Sequence, residues 1–188
     1  MINSDIIIET ERLVLRQFRK TDAEKMHRNW ANDPDVVRFL CYDVCESVEA
    51  TEKHIEQWMD YFHNLPPDFL WHIFAIELKT SGELIGTIDF CESDKEAHAA
   101  EIGYQIGKAW WGSGYATEAL RAVIDYCFEN TDFNRLWADH NAMNTASGKV
   151  LLKAGMQHEG TARQIYVRKG KLADKVSYAI LKADWLKI

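Results

Sequence analysis

The stretch WGSGYATEA, residues Trp111 to Ala119, is the most informative part of this chain. It follows a predicted strand over residues 97–106 and opens a predicted helix that runs to about residue 130. Glycines at positions 112 and 114 let the backbone turn sharply, and the unpaired N–H groups at a helix start carry partial positive charge. The turn therefore fits a phosphate or pyrophosphate group, although a plain tight turn into a helix has the same Gly-x-Gly spacing.

Two nucleotide-binding motifs do not fit this turn. No Gly-Lys-Ser/Thr follows it, so it is not a Walker A loop. Thr117 stands where the dinucleotide fingerprint requires its third glycine, and the preceding order of elements differs from that fold.

The rest of the chain alternates strand and helix patterns. Strands are predicted over residues 6–18, 70–79, 84–91, 97–106, 136–140, 156–167 and 173–181, and helices over 21–32, 47–63, 115–130 and 144–154. In the third helix, i, i+3 and i+4 spacing predicts one buried face (Ala116, Ala119, Leu120, Val123 and Cys127). The order β-α-α-β-β-β-α-β-α-β-β predicts an α/β (α+β) fold. Without repeats or linker-like tracts, residues 1–188 are expected to form one domain.

Composition excludes several classes of protein. Of the 188 residues, 47% are hydrophobic, which is typical of a globular chain. The net charge of −7 disfavours a nucleic-acid partner. No run of about 18 apolar residues predicts a membrane span, and residues 1–5 do not resemble a signal peptide. We therefore expect a cytoplasmic protein with reduced cysteines (Cys41, Cys45, Cys91 and Cys127). No His-Glu-x-x-His motif or Cys/His cluster occurs, so no metal site is expected.

Several segments together resemble the GNAT acetyltransferases. They are TERLVLR at residues 10–16, AEIGYQI at 100–106, WWGSGYATEA at 110–119, and Asn144-x-x-Ser147 followed by KAGM at 153–156. Glu159-Gly160 with Arg163, Asp174 with Tyr178, and the final Trp185 continue the match. More narrowly, the segments are similar to the branch that includes the ribosomal-protein N-terminal acetyltransferases. Ala109 departs from the Gln or Arg usual before the turn, and Met156 replaces a Phe of similar volume.

This resemblance implies the GNAT acyl-CoA N-acyltransferase fold, a mixed, mostly antiparallel seven-stranded sheet flanked by about four helices. Its fourth and fifth strands splay apart, and acetyl-CoA, the co-substrate, would lie in the gap. The pantetheine arm would pair with backbone groups of Tyr104, Gln105 and Ile106, and Asn144 would contact CoA. The turn residues would bind the pyrophosphate (Trp111, Gly112, Ser113, Gly114, Tyr115, Ala116 and Thr117).

The resemblance also implies catalytic roles. An amide near Ile106 would stabilise the oxyanion while the amine attacks directly. Leu151 stands where many members carry a Tyr that protonates the departing thiolate, so Ser147 would take that role. Glu101 is the candidate base, acting through water, with a structural hydrogen-bonding role as the alternative. Tyr166 is an alternative acid or substrate contact, or an ordinary strand aromatic.

The function implied is transfer of an acetyl group from acetyl-CoA to an amine, by a monomer or homodimer. A peptide N-terminal amine is the first candidate acceptor. A small amine (polyamine, amino acid or antibiotic) and a non-catalytic acyl-CoA sensor remain as alternatives, because acceptor pockets lie in variable loops. Aromatic residues around the two early helices would shape the acceptor site or pack in the core (Trp30, Trp58, Tyr61, Phe62 and Trp71).

Overall fold

The computed structural model of the protein describes residues 6–66 and 69–187. The strands are β1 (Ile8–Glu9), β2 (Leu13–Gln17), β3 (Trp71–Leu78), β4 (Leu84–Asp94), β5 (Ala99–Ile106), β6 (Arg135–Asn141), β7 (Gln157–Arg168) and β8 (Lys171–Leu181). The helices are α1 (Ala23–Met26), α2 (Pro34–Val37), α3 (Val48–His63), α4 (Tyr115–Asn130), α5 (Thr145–Lys153) and α6 (Lys182–Trp185). From β3 onward the predicted order of strands and helices is confirmed, and two short helices, α2 and α6, are present in addition.

The strands form one mixed sheet in the order β1-β2-β3-β4-β5-β6-β8-β7. Neighbouring strands are antiparallel except β5 and β6, which are parallel and are connected through α4. Antiparallel neighbours can be joined by short turns, whereas a parallel pair needs a long crossover, and α4 supplies it. The predicted α/β (α+β) fold is therefore confirmed, and it contains one β-α-β crossover.

The first predicted strand was wrong in one respect, because it is two strands. Thr10 N donates to the carbonyl of Leu13 at 3.0 Å, and Leu13 N donates to Thr10 Oγ1 at 2.9 Å. The threonine hydroxyl satisfies a strand amide, so the chain reverses and Ile8 pairs with Leu15. The sheet consequently has eight strands among the described residues instead of the predicted seven.

The sheet is covered on both faces, and β3 shows how its residues divide. Phe74 and Ile76 point to the face covered by α4, whereas Ala75 points to the face covered by α1 and α3. The predicted apolar face of α4 is confirmed, since its buried residues repeat with helical spacing (Ala119, Leu120, Val123, Ile124, Cys127 and Phe128). The two faces of the sheet thus carry separate cores. A gap between two strands is therefore open to both faces.

The first predicted helix is irregular. A turn of 3₁₀ helix (Lys20–Asp22) leads into α1, and a turn of π-helix (His27–Ala31) follows it. Arg16 holds this start against the sheet, because its guanidinium donates to both oxygens of Asp22 at 2.8 and 2.9 Å and to Glu77 Oε2 at 2.8 Å. Such bidentate pairing satisfies an arginine that is otherwise buried.

Candidate active site

The sheet opens where β5 leaves β6. The two strands pair at three positions and part after Glu101 and Trp137. On its other side, β5 stays paired with β4 as far as Ile106. The segment from Gly103 to Ile106 therefore has one edge that β6 does not cover, as the predicted splay requires. Unpaired main-chain groups at such an edge can bind an extended ligand as a further strand would be bound.

The glycine turn lies at the end of this open edge. Gly112 has φ +76° and Gly114 has φ +84°, left-handed values that favour glycine. No side chain caps the start of α4, so its first N–H groups are available to an anion. Trp111, half exposed, donates from Nε1 to the carbonyl of Ile106 at 2.7 Å and so fixes the turn against the end of β5.

Arg12 holds the turn from the opposite side. Its Nε donates to Glu118 Oε2 at 2.6 Å and its Nη1 to the carbonyl of Ser113 at 3.1 Å, while its guanidinium lies 4.4 Å from the ring centroid of Tyr115. Glu118 Oε1 accepts from Thr10 Oγ1 at 2.6 Å and from Arg12 N at 2.9 Å. Burial acts to raise the pKa of Glu118, but these hydrogen bonds hold it below its usual value. The TERLVLR segment therefore supports the turn, a role that its sequence did not reveal.

Ser147 and the side chain of Tyr104 meet beside the gap. Their hydroxyl oxygens are 2.7 Å apart, and Tyr104 Oη also lies 3.1 Å from the carbonyl of Ser147. Burial raises the pKa of Tyr104 to about 12, against a smaller opposing effect of the Ser147 hydrogen bond. Tyr104 thus stays protonated and can donate to Ser147 Oγ, which leaves the serine proton free for another acceptor. The sequence analysis predicted that Tyr104 contributes its backbone groups to this site, and it did not predict a role for the side chain.

Helix α5 carries Ser147 unusually close to the sheet. A Cβ atom at Gly148 would lie 2.7 Å from His140 Nε2 and 3.0 Å from the Tyr178 hydroxyl. Any side chain at 148 would push the helix, and Ser147 with it, away from β6. Asn144 directly precedes α5, and its carbonyl accepts from Ser147 N at 3.1 Å. Leu151 is fully buried, and its hydrocarbon side chain has no proton to donate to the gap.

Glu101 lies where β5 and β6 part, half-buried. Burial raises its pKa, and the charge of Asp139 adds to this rise while that of Lys175 opposes it. Asp139 and Lys175 form an ion pair at 2.7 Å. A carboxyl group with a raised pKa is better matched to accepting a proton near neutral pH than an exposed one. Its predicted role as base stays a prediction.

Tyr166 lies further out on β7. Its hydroxyl accepts from Asn141 Nδ2 at 2.7 Å, and Lys175 Nζ lies 5.4 Å from its ring centroid. Tyr166 therefore faces the same group of polar side chains as Glu101, and its predicted role as acid or substrate contact stays a prediction.

The predicted aromatic cluster divides between core and surface. Trp30 is fully buried, which fits core packing, whereas Trp58 is half-buried and lies 4.4 Å from the His54 ring. Tyr61 is exposed and lies edge-on to Trp71 at 5.2 Å. The side chain of Phe62 lies outside the described residues.

Tyr42, which the sequence analysis missed, connects this aromatic cluster to the open strand. Its hydroxyl donates to Gln105 Oε1 at 2.7 Å, and its ring lies 4.5 Å from His54. Tyr104 and Gln105 therefore point to opposite faces of β5: one to α5, the other to the early helices. No short-range pattern marks Tyr42, because its partner is 63 residues away.

Several further features bear on the chemistry. Among the described residues, no group of three His, Cys, Asp or Glu is placed to hold a metal ion, and no helix is long and apolar enough to span a membrane. All four cysteines are free thiols, and burial raises the pKa of Cys91 to about 11, so Cys91 makes a poor nucleophile. An open groove of about 930 Å³ beside α4 reaches the turn at Gly114 and Thr117 but does not include Glu101 or Ser147.

The open strand edge, the glycine turn and the hydroxyl pair all lie within a segment that matches a family model. Residues 12–157 match the family model described as the acetyltransferase (GNAT) domain. This chain belongs to the GNAT acetyltransferases. The expected family and fold are thus confirmed, with the number of strands corrected to eight in the part of the chain that the structure describes.

Relatives of this GNAT chain are similar over nearly its whole length. It is 35% identical to the protein named uncharacterized N-acetyltransferase YoaA of Bacillus subtilis, over 94% of this chain and 97% of that protein. It is 28% identical to the [ribosomal protein uS5]-alanine N-acetyltransferase of Escherichia coli, over 95% of this chain and 92% of that protein. A crystal structure of a GNAT-family acetyltransferase from Bacillus anthracis superposes with a TM-score of 0.83 at 29% identity, over 95% of this chain and 99% of that one.

Proposed function

We propose that this chain transfers the acetyl group of acetyl-CoA to a primary amine, and that the acceptor is the N-terminal amine of a peptide or protein. One observation carries the proposal: the open edge of β5 runs between an uncapped helix start and a partly buried hydroxyl pair. An acyl donor with an extended arm and a pyrophosphate needs this combination of an edge, an anion site and a proton donor. The proposal takes residues 1–188 as one catalytic domain.

Each step has a candidate group. The first amides of α4 would bind the pyrophosphate, together with the turn residues named from the sequence. Backbone groups of Tyr104, Gln105 and Ile106 would hold the pantetheine arm and polarise the thioester carbonyl. The amine would attack directly, giving a tetrahedral intermediate, and its collapse would break the carbon–sulfur bond. Ser147, positioned by Tyr104, would protonate the departing thiolate.

Only the similarity to a named relative supports a peptide or protein N-terminus as the acceptor. The E. coli relative is named for acetylating an alanine of ribosomal protein uS5, and it is similar to this chain from end to end. Small amines and a non-catalytic acyl-CoA sensor are the competing functions, because one fold can carry several functions and the side chains at the site decide between them.

The test is release of free CoA from acetyl-CoA in the presence of separate acceptors. The panel holds peptides that begin with Ser, Ala, Thr or Met, the same peptides with blocked N-termini, polyamines, amino acids and aminoglycosides. Release with free but not blocked peptides is the expected result. Release with small amines alone would replace the peptide acceptor, and tight acetyl-CoA binding without release would support the sensor.

A further inference from the structure

Asp89, in the middle of β4, places its carboxyl group over the neighbouring strand. Asp89 pairs with Gly103 of β5 in the sheet register. A Cβ atom at Gly103 would lie 2.7 Å from Asp89 Oδ1, closer than such atoms approach in real structures. The carboxyl group therefore occupies the space that a side chain on β5 would fill. That space lies next to Tyr104, on the strand segment that β6 leaves open.

The indole of Trp71 fixes this position. Trp71 Nε1 donates to Asp89 Oδ2 at 3.1 Å from the adjacent strand β3. With Oδ2 occupied on the β3 side, Oδ1 is directed toward β5 and the gap. A carboxylate held by one hydrogen bond keeps a lone pair on its second oxygen for another partner.

The groups facing Asp89 explain why its proton affinity is unusual. Burial raises the pKa of Asp89 to about 7, the Trp71 hydrogen bond opposes this rise, and the charge of Glu101 adds to it. Cys91, on the same strand and the same face, stays a neutral thiol because burial raises its pKa to about 11. Two carboxyl groups, Asp89 and Glu101, thus face one side of the gap.

Acetylation of an ammonium group removes two protons from the nitrogen. The first must leave before the lone pair can attack, and the second leaves after the carbon–nitrogen bond forms. One carboxylate can take one proton per turnover without waiting for exchange with water. A site with two carboxylates on the acceptor side matches this requirement.

We propose that Asp89 is a further catalytic residue, whose Oδ1 accepts the first proton of the acceptor ammonium, and that Glu101 accepts the second. This inference rests on the proposed function. The ammonium gives a proton to the Asp89 carboxylate, and the free amine attacks the thioester carbon. The carbon–sulfur bond breaks, and the thiolate takes the Ser147 proton, which solvent replaces. The second nitrogen proton passes to Glu101. Overall, ammonium and acetyl-CoA give the acetamide, CoA thiol and one proton released to water.

The first experiment compares pH profiles of kcat/KM for the wild-type chain, Asp89→Asn and Asp132→Asn. Asparagine keeps the shape of the side chain and can still accept from Trp71. The wild-type profile should rise with pH through about 7, as Asp89 loses its proton. Asp89→Asn should lower the plateau about 100-fold or more and remove the rise near 7. Asp132 is exposed and pairs with His98 outside the gap, so Asp132→Asn should match the wild type.

A second experiment does not depend on turnover. The folded-state pKa of Asp89 lies above its ordinary value, so folding favours the protonated form, and stability falls as pH rises from the ordinary pKa through about 7. The Asp89→Asn variant has no carboxyl group at this position, so it does not lose stability in this way. Its Tm should therefore exceed that of the wild type by a margin that grows from about pH 4 through about pH 7 and then levels off, whereas Asp132→Asn should show no such growth.

The outcomes separate the two proposals. Absence of CoA release by the wild-type chain with every acceptor overturns the proposed function and this inference with it. Release by the wild-type chain with an unchanged profile in Asp89→Asn overturns this inference alone. A Tm margin that does not grow with pH also overturns it, because Asp89 would then not titrate near neutral pH.

Discussion

The glycine turn and the aromatic face around α3 (Tyr42, His54 and Trp58) are built by different means. The turn lies beyond the end of β5, at the start of α4, which covers one face of the sheet, whereas the aromatic face lies on the other face of the sheet. The turn offers main-chain N–H groups, set by two left-handed glycines and held by Arg12. The aromatic face offers side chains, such as Tyr42 against Gln105. A backbone site suits a ligand that never changes, whereas a side-chain site can be altered one residue at a time.

This difference predicts which substrate, acetyl-CoA or the acceptor, is bound more weakly after a given substitution. Changes near the turn should weaken acetyl-CoA binding and leave acceptor choice alone. Changes on the aromatic face should alter the acceptor KM and leave acetyl-CoA binding alone. The hydroxyl pair, which lies between the two regions, should affect kcat without changing either affinity.

Among substitutions in the two regions and in the hydroxyl pair, the largest effect is expected from Ser147→Ala. Loss of the proton donor should lower kcat about 100-fold while the Kd for acetyl-CoA is kept, since proton transfer by a positioned group contributes roughly this much. Tyr104→Phe should lower kcat less, and the double variant should be no slower than Ser147→Ala, because Tyr104 acts through the serine. An unchanged kcat in Ser147→Ala would remove its role as acid, and additive effects would separate Tyr104 from it.

A smaller effect is expected from Gly114→Ala, compared with Gly82→Ala. Both glycines have left-handed φ angles, +84° and +65°, so both substitutions impose a similar strain of about 1–2 kcal/mol. Only Gly114 adjoins the proposed pyrophosphate site, so Gly114→Ala should raise the Kd for acetyl-CoA about 5- to 30-fold, as measured by calorimetry. Equal Kd values for the two variants would show that the turn does not bind the cofactor.

The smallest effect is expected from Tyr42→Phe. The substitution removes the hydrogen bond to Gln105 and keeps the ring against His54. A net hydrogen bond contributes about 0.5–1.5 kcal/mol, so the acceptor KM should rise about 2- to 10-fold with the Kd for acetyl-CoA unchanged. Tyr126→Phe, on α4, serves as the matched control. A raised Kd for acetyl-CoA in Tyr42→Phe would break the division between the two faces.

Local patterns predicted most of the fold because helix and strand periodicities are local. The amphipathic α4 and the alternating β5 lie within a few residues of their predicted bounds. The turn at Thr10 was missed because one side-chain hydroxyl, not a Gly or Pro, reverses the chain there. The glycine turn could be predicted from sequence, since left-handed φ angles favour glycine.

Partners across the fold could not be predicted. Ser147 and Tyr104 are 43 residues apart, and Asp89 meets Trp71 through the register of two strands. Such pairs depend on which strands become neighbours and on which face each residue points to, and a shift of one position would reverse every face. Gly103 is the one sign of the Asp89 position in the sequence, because a glycine within an alternating strand often marks the close approach of another group.

Arg12 and Glu118 have a consequence for how the chain comes to fold during synthesis. They are 106 residues apart, so the contact cannot form until most of the chain has left the ribosome. At about 5–20 residues per second, the amino-terminal strands wait roughly 5 to 20 seconds for their partner. The glycine turn is therefore completed late, when Glu118 meets the oldest part of the polypeptide, and a chain that lacked its first twelve residues would hold a turn that Arg12 does not brace.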